Sequence, residues 1–151
     1  MTREQFTAFI TEKTPEVKAG PNKQFPEFII SPDQIHSLCK ILRENPQTKM
    51  DYLFCQTALD RKDGFHVVYH LNSTELGHCL MLRTILPDKI NPEVVTVSDL
   101  WIAAEYYERE IFDLFGIKFA NHPDLRRIFL DDDWVGYPLR KDYKDAFTLE
   151  R

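Results

Sequence analysis

Regular apolar patterning runs along this chain as far as Gly116 and then stops, and that break limits what the chain can fold into. Before it, apolar residues recur at helix and strand spacings. After it come 35 residues rich in Asp, Arg, Pro and aromatics, with no clear period. A structureless stretch of that length is uncommon inside a compact domain. It is also too aromatic for a disordered tail, since Phe119, Phe129, Trp134, Tyr137, Tyr143 and Phe147 all fall in it. An irregular segment with large apolar anchors lies across a surface, and the surface expected here is a partner's. The implied organisation is an α+β domain over residues 1–116, followed by an extended arm over 117–151 that contacts a partner subunit.

The regular part reads as follows. Residues 3–13 make a short amphipathic helix with Phe6, Phe9 and Ile10 on one side, ended by Pro15 and Gly20-Pro21. Phe25 to Ile30 is an extended apolar run. Ser31-Pro32-Asp33 has the pattern of an N-cap with proline in the first helical position, opening a helix to about Glu44 with Ile35, Leu38, Cys39 and Leu42 inward. Met50–Leu59 and Phe65–Leu71 alternate around an Asp63-Gly64 turn signal, and a further strand spans His78–Leu86. A short strand over Val94–Val97 leads to Ser98, the expected N-cap of a helix from Asp99 to Phe115, with Gly116 as its terminator. This order predicts an α+β fold, an open and mostly antiparallel or mixed sheet with helices packed on it.

Composition removes several functional classes. The net charge is −5, with most of the excess in residues 99–151, so the clustered Lys and Arg that nucleic-acid binding needs are missing. No apolar run reaches the roughly 18 residues of a spanning helix, and the N-terminus has no signal-peptide core, so membrane association is expected only through a partner. Cys39, Cys55 and Cys79 are too scattered for iron–sulfur ligation and suggest reduced thiols. His66 and His70 share a strand face but sit about 13 Å apart, too far to chelate one ion together. Asp131-Asp132-Asp133 lacks the interleaved turn glycines of a calcium loop and reads as a solvated turn or a match to a basic partner. No nucleotide-binding or hydrolase motif is present. The expectation is therefore a chain with no catalytic residues and no cofactor or metal of its own.

On a helix over 99–115, Glu105, Arg109 and Asp113 fall opposite a broad apolar arc, and their i,i+4 spacing reads as a solvated charge ladder. Glu108 instead falls inside the arc, between Phe115 and Trp101. A carboxylate removed from water there needs a cation or several donors. Arg126, Arg127 and Arg140 are the candidate cations. His122, followed by Pro123, is expected to make a structural hydrogen bond rather than to act as a base.

These residues carry a resemblance. Glu108-Arg109-Glu110, two residues, Asp113-Leu114-Phe115, six residues, His122, three residues and Arg126-Arg127-Ile128-Phe129 resemble the signature of the C subunit (30-kDa type) of proton-translocating NADH:quinone oxidoreductase, respiratory complex I. Gly136-Tyr137-Pro138-Leu139-Arg140-Lys141-Asp142-Tyr143 and Val68-Tyr69-His70-Leu71 resemble further blocks of the same family, so the likeness covers most of residues 50–145. The resemblance implies a non-catalytic structural subunit of the peripheral arm. FMN, iron–sulfur clusters and quinone would be held by partner subunits. The D subunit (49-kDa type) would be the principal partner, and the location would be the cytoplasmic side of the inner membrane, or the matrix side in mitochondria. Related membrane-bound hydrogenases and complexes using ferredoxin or other donors carry similar subunits. Arg126, Arg127, Trp134, Tyr137, Leu139, Arg140 and Tyr143 are the expected interface anchors, with Glu108 and Asp113 organising the arm.

Overall fold

The computed structural model describes residues 1–22 and 24–145. Phe147 and the rest of the arm's last six residues lie outside that range. Three helices, α1 (Arg3–Lys13), α2 (Ile35–Glu44) and α3 (Ile102–Phe115), accompany seven strands: β1 (Lys18–Ala19), β2 (Glu27–Ile30), β3 (Tyr52–Arg61), β4 (Gly64–Asn72), β5 (Cys79–Leu86), β6 (Glu93–Val95) and β7 (Lys118–Ala120). The first five strands form one sheet in the order β1-β2-β5-β4-β3. The β2–β5 pair is parallel and the others are antiparallel, so the sheet is mixed and open. Strands β6 and β7 make a separate parallel pair, with Val94 opposite Phe119.

The core gathers on one face of the large sheet. Phe28 and Ile30 from β2, Phe65, Val67, Tyr69 and Leu71 from β4, and Leu80, Leu82 and Leu86 from β5 meet Phe6 and Ile10 of α1 and Ile35, Leu38, Cys39 and Leu42 of α2. Alternation therefore sorts β4 as read: Phe65, Val67, Tyr69 and Leu71 go inward, while His66, Val68 and His70 take the other face. A register shift between Leu53 and Cys55 then sends Gln56 inward, opposite Tyr69.

Helix α1 starts at Arg3, as its residues imply, whereas the other two helices start later than expected. Helix α1 begins with a full capping box between Thr2 and Gln5, the Thr-x-x-Gln pattern that marks such a start. In α2 the expected Ser31 cap is not used. Ser31 gives its hydroxyl to Asp33, the chain turns with Gln34 N–H on the Ser31 carbonyl at 3.0 Å, and the helix opens at Ile35. In α3 the expected start at Asp99 is also corrected, to Ile102. Residues 98–100 form a turn, because the buried Trp101 indole donates to the Met50 carbonyl at 3.1 Å and holds Trp101 in an extended conformation.

Two strands escaped the sequence reading. Both β1 and β7 are too short to show a period. Strand β7 means that the segment after Gly116 is not irregular from its first residues: Phe119 is buried against the core, and Thr96 N–H reaches the Ala120 carbonyl at 3.0 Å.

Candidate functional site

The arm lies against its own domain, and helix α3 supplies most of the attachment. Asp113 is the centre of it. Its carboxylate is wholly buried and accepts from Arg127 Nη1 at 2.8 Å and from three consecutive backbone N–H groups, Ile128, Phe129 and Leu130, at 3.1, 2.8 and 3.0 Å. Burial pushes the Asp113 pKa up, but these four donors outweigh it and leave the group below the usual carboxylate range. The solvated ladder expected at Glu105, Arg109 and Asp113 is therefore not what forms. Arg109 is also buried, giving Nε to the Arg126 carbonyl at 3.2 Å and Nη2 to the Arg127 carbonyl at 3.0 Å.

Arg127 works in two directions. Besides the Asp113 contact, its Nη2 donates to the carbonyls of Trp134 (3.0 Å) and Gly136 (3.1 Å), closing the loop 127–136 at its base. Arg140 holds the next stretch, with Nε on the Phe115 carbonyl at 2.5 Å and Nη1 on the Lys89 carbonyl at 3.2 Å. Both guanidinium groups rest on the Tyr137 ring, at 5.2 and 4.9 Å from its centroid, and Arg140 also lies 5.0 Å from that of Phe65. Leu139 N–H donates to the Leu114 carbonyl at 3.0 Å, and Lys141 N–H reaches the buried Asp60 carboxylate at 2.8 Å.

Gly116 makes this close approach possible. It sits in the left-handed region at φ +69, where it ends α3, and a Cβ there would lie 2.4 Å from the Tyr137 ring. Gly116→Ala is expected to cost about 1–3 kcal/mol through backbone strain and a displaced Tyr137. Thermal unfolding checks this, and an unchanged melting temperature would contradict the packing described.

Glu108 is fully buried, as its place in the apolar arc required, but its partners differ from those expected. None of Arg126, Arg127 or Arg140 reaches it among the described residues. Its carboxylate accepts from the Thr96 hydroxyl, from Val97 N–H at 2.9 Å and from Gln56 Nε2 at 3.3 Å. Desolvation outweighs these donors and raises its pKa from 4.5 to about 7. His122, whose side chain is buried, brings Nε2 to 3.9 Å from Glu108. That imidazole is already committed, with Nε2 donating to the Glu105 carbonyl and Nδ1 accepting from Asp124 N–H, both at 3.0 Å. It is thus a structural hydrogen-bonding residue, as expected, and fixes the chain where it leaves β7.

The other motif residues sort by exposure. Glu110 is exposed on α3, and Arg126 is exposed and paired with Asp124 at 2.8 Å. Trp134 and Leu139 are exposed, and Tyr143 lies beside Gly136, lining a hollow of about 300 Å³ with Tyr137 and Arg140. Sequence reasoning missed Thr96 and Gln56 around Glu108, and Asp60 and Lys89 under the arm. Gln56 alone left a trace, as a polar side chain inside an alternating strand.

Residues 28–147, which take in α3 and the arm segment fastened to it, match the family model described as the respiratory-chain NADH dehydrogenase 30 Kd subunit. The chain belongs to that family. Among its relatives is the C-type NADH-quinone oxidoreductase subunit of Geobacter sulfurreducens, 41% identical over 121 residues that cover 76% of this chain and 71% of that protein. The C-type subunit of Chloroherpeton thalassium is 37% identical over 113 residues, 74% of this chain and 47% of the other. The C/D-type protein of Bacteroides thetaiotaomicron is 44% identical over 127 residues, 77% of this chain. This chain spans about a quarter (23%) of that C/D protein. Among solved structures, a chain of the membrane-bound sulfane sulfur reductase, an archaeal respiratory membrane complex, superposes with a TM-score of 0.75 at 31% identity, over 95% of this chain and 86% of that one. In this member of the 30 Kd subunit family, the motif charges and arm arginines are assembled into one fastening between helix and arm.

Proposed function

We propose that this chain is a structural subunit in the peripheral, hydrophilic arm of a proton-translocating NADH:quinone oxidoreductase. Its task is to support the D-type subunit of the quinone-reducing module, and it has no active site of its own. The observation that carries this reading is the existence of C/D relatives, in which C-type and D-type parts share one name and one polypeptide of which this chain matches about a quarter. A partner tethered in that way sits at high effective concentration, which favours a standing interface over occasional contact. FMN, iron–sulfur clusters and quinone then belong to partner subunits, and the charge network found here positions backbone instead of moving electrons. No helix among the described residues is long and apolar enough to cross a membrane, so membrane attachment through the complex, on the cytoplasmic or matrix side, fits the chain.

A second reading has its own support. The likeness to a chain of the sulfane sulfur reductase favours an equivalent subunit in a related membrane complex with another electron donor or acceptor. Affinity purification of the tagged chain from detergent-solubilised membranes separates the two. Recovery of a D-type subunit together with an NADH-oxidising flavoprotein supports the first reading. A D-type homologue without the NADH-oxidising part supports the second, and a chain recovered alone overturns both. In the same preparation, Arg140→Ala combined with Tyr143→Ala is expected to reduce the recovered D-type subunit several-fold, because Arg140 holds two carbonyls and the Tyr137 ring. An unchanged yield of the D-type protein would remove these two residues from the assembly role.

A further inference from the structure

The fastening faces the domain, so it uses up several of the side chains expected to grip a partner. Arg127, Arg140 and Tyr137 are engaged with α3, Phe65 and each other. What the arm turns outward includes Trp134 and Leu139 from the expected anchors, joined by Ile128, Phe129 and Val135. Phe129 is 66% exposed, Val135 86% and Leu139 52%, with Ile128 and Trp134 also open to solvent. Half of the large apolar side chains exposed among the described residues fall within residues 128–139, concentrated on one short looped segment.

The patch is also rigidly built. Asp113 holds the N–H groups of Ile128, Phe129 and Leu130, and Arg127 ties the other limb of the loop through the Trp134 and Gly136 carbonyls. Both limbs of the loop are therefore held before anything binds, which removes part of the entropic cost of association. Between the two limbs stand Asp131, Asp132 and Asp133, all exposed, and none within ion-pair distance of a cation among the described residues. A partner that covers the apolar side chains must meet these three carboxylates as well.

We infer that Ile128, Phe129, Trp134, Val135 and Leu139 form a preformed docking ridge for the D-type chain, whose receiving surface is an apolar groove with Lys or Arg at its rim opposite Asp131–Asp133. This rests on the reading of the partner given above and adds a division of labour. The arginines and Asp113 shape the arm, while aromatic and aliphatic side chains bind, as at the centres of tight interfaces.

The test uses the full chain and the D-type chain of the same organism, purified separately and mixed. Phe129→Ala with Val135→Ser is expected to leave the melting temperature within roughly 1 °C of the wild type, both side chains being exposed. The same double variant should weaken binding about tenfold or more. Val135→Asp, at the more exposed of the two positions, provides a second variant should the first fold poorly, with the same expected loss. Changing Asp131, Asp132 and Asp133 together to Asn is expected to flatten the salt dependence of the association rate. Wild-type affinity in both apolar variants overturns the ridge while leaving the partner reading intact. Loss of self-association in place of D-type binding overturns it in favour of a second copy of this chain. An unchanged salt dependence in the Asn variant overturns the basic rim. Failure of the wild-type chain to bind the D-type chain removes the partner reading itself.

Discussion

Asp113→Ala is expected to release the arm from helix α3 and to lower the melting temperature by roughly 10 °C. The side chain is fully buried and satisfies four donors, so its removal leaves the Arg127 guanidinium with carbonyls but no countercharge and strips three backbone N–H groups of their acceptor. Breaking a buried charge pair by removing one partner costs about 3–5 kcal/mol, and a chain of this length loses about 2–4 °C per kcal/mol. Asp113→Asn keeps the volume but presents an N–H₂ group to donors that need an acceptor, so it is expected to lose more than half as much. The arm could also open locally with the domain intact, so hydrogen exchange over residues 126–143 should be followed beside the melt, together with trypsin cleavage at Arg126, Arg127 and Arg140. Wild-type values in all three measurements would refute the fastening. The contribution of Asp113 is steady at neutral pH. Because its folded pKa is lowered, that contribution is present above the unfolded value of about 3.8 and lost as pH falls through the folded one.

Glu108→Gln is expected to act with the opposite sign. The folded pKa of Glu108 is raised to about 7, from 4.5. The neutral form is the one the core accepts, so its contribution is fully present below pH 4.5 and is lost as pH rises through about 7. The groups around it do not reverse this. Asp99 raises the pKa further, the Cys39 thiol and Tyr69 phenol nearby are held protonated by burial, and His122 is engaged with Glu105 and Asp124. Relative to the wild type, the Gln variant should gain about 3 kcal/mol of stability between pH 4 and pH 8, because one pKa unit corresponds to about 1.4 kcal/mol. Denaturant melts of both proteins across that range measure the difference, and a flat difference would show that Glu108 titrates normally. The comparison has to be between the two proteins, since the lowered carboxylates Asp51, Asp60 and Asp113 give the wild type an opposing slope of its own.

These two carboxylates also show where sequence reading stops. On a helical wheel Glu108 was recognisable as buried, because the arc around it is made of the helix's own neighbours. Asp113 and Arg109 do not sit on a solvated face, because the wheel knows nothing of the segment 14–18 residues later that covers them. The same limit applied to the arm as a whole. Its aromatic content demanded a surface, and the nearest one turned out to be α3, reached once Gly116 had turned the chain back so that Tyr137 could lie against it.

The order of the three helices and of strands β2 to β6, the inward faces of β4, α1 and α2, the end of α3 at Gly116 and the family itself were all legible in the residues, since each depends on local spacing or on motif identity. The starts of α2 and α3, strands β1 and β7, the partner of every motif charge and the side of the arm left facing outward were decided by tertiary structure. Backbone periodicity is a property of neighbours in the chain, whereas a buried charge is settled by whichever donors the folded chain brings to it. At Asp113 those donors come from the arm, and at Glu108 they come from Thr96, Val97 and Gln56.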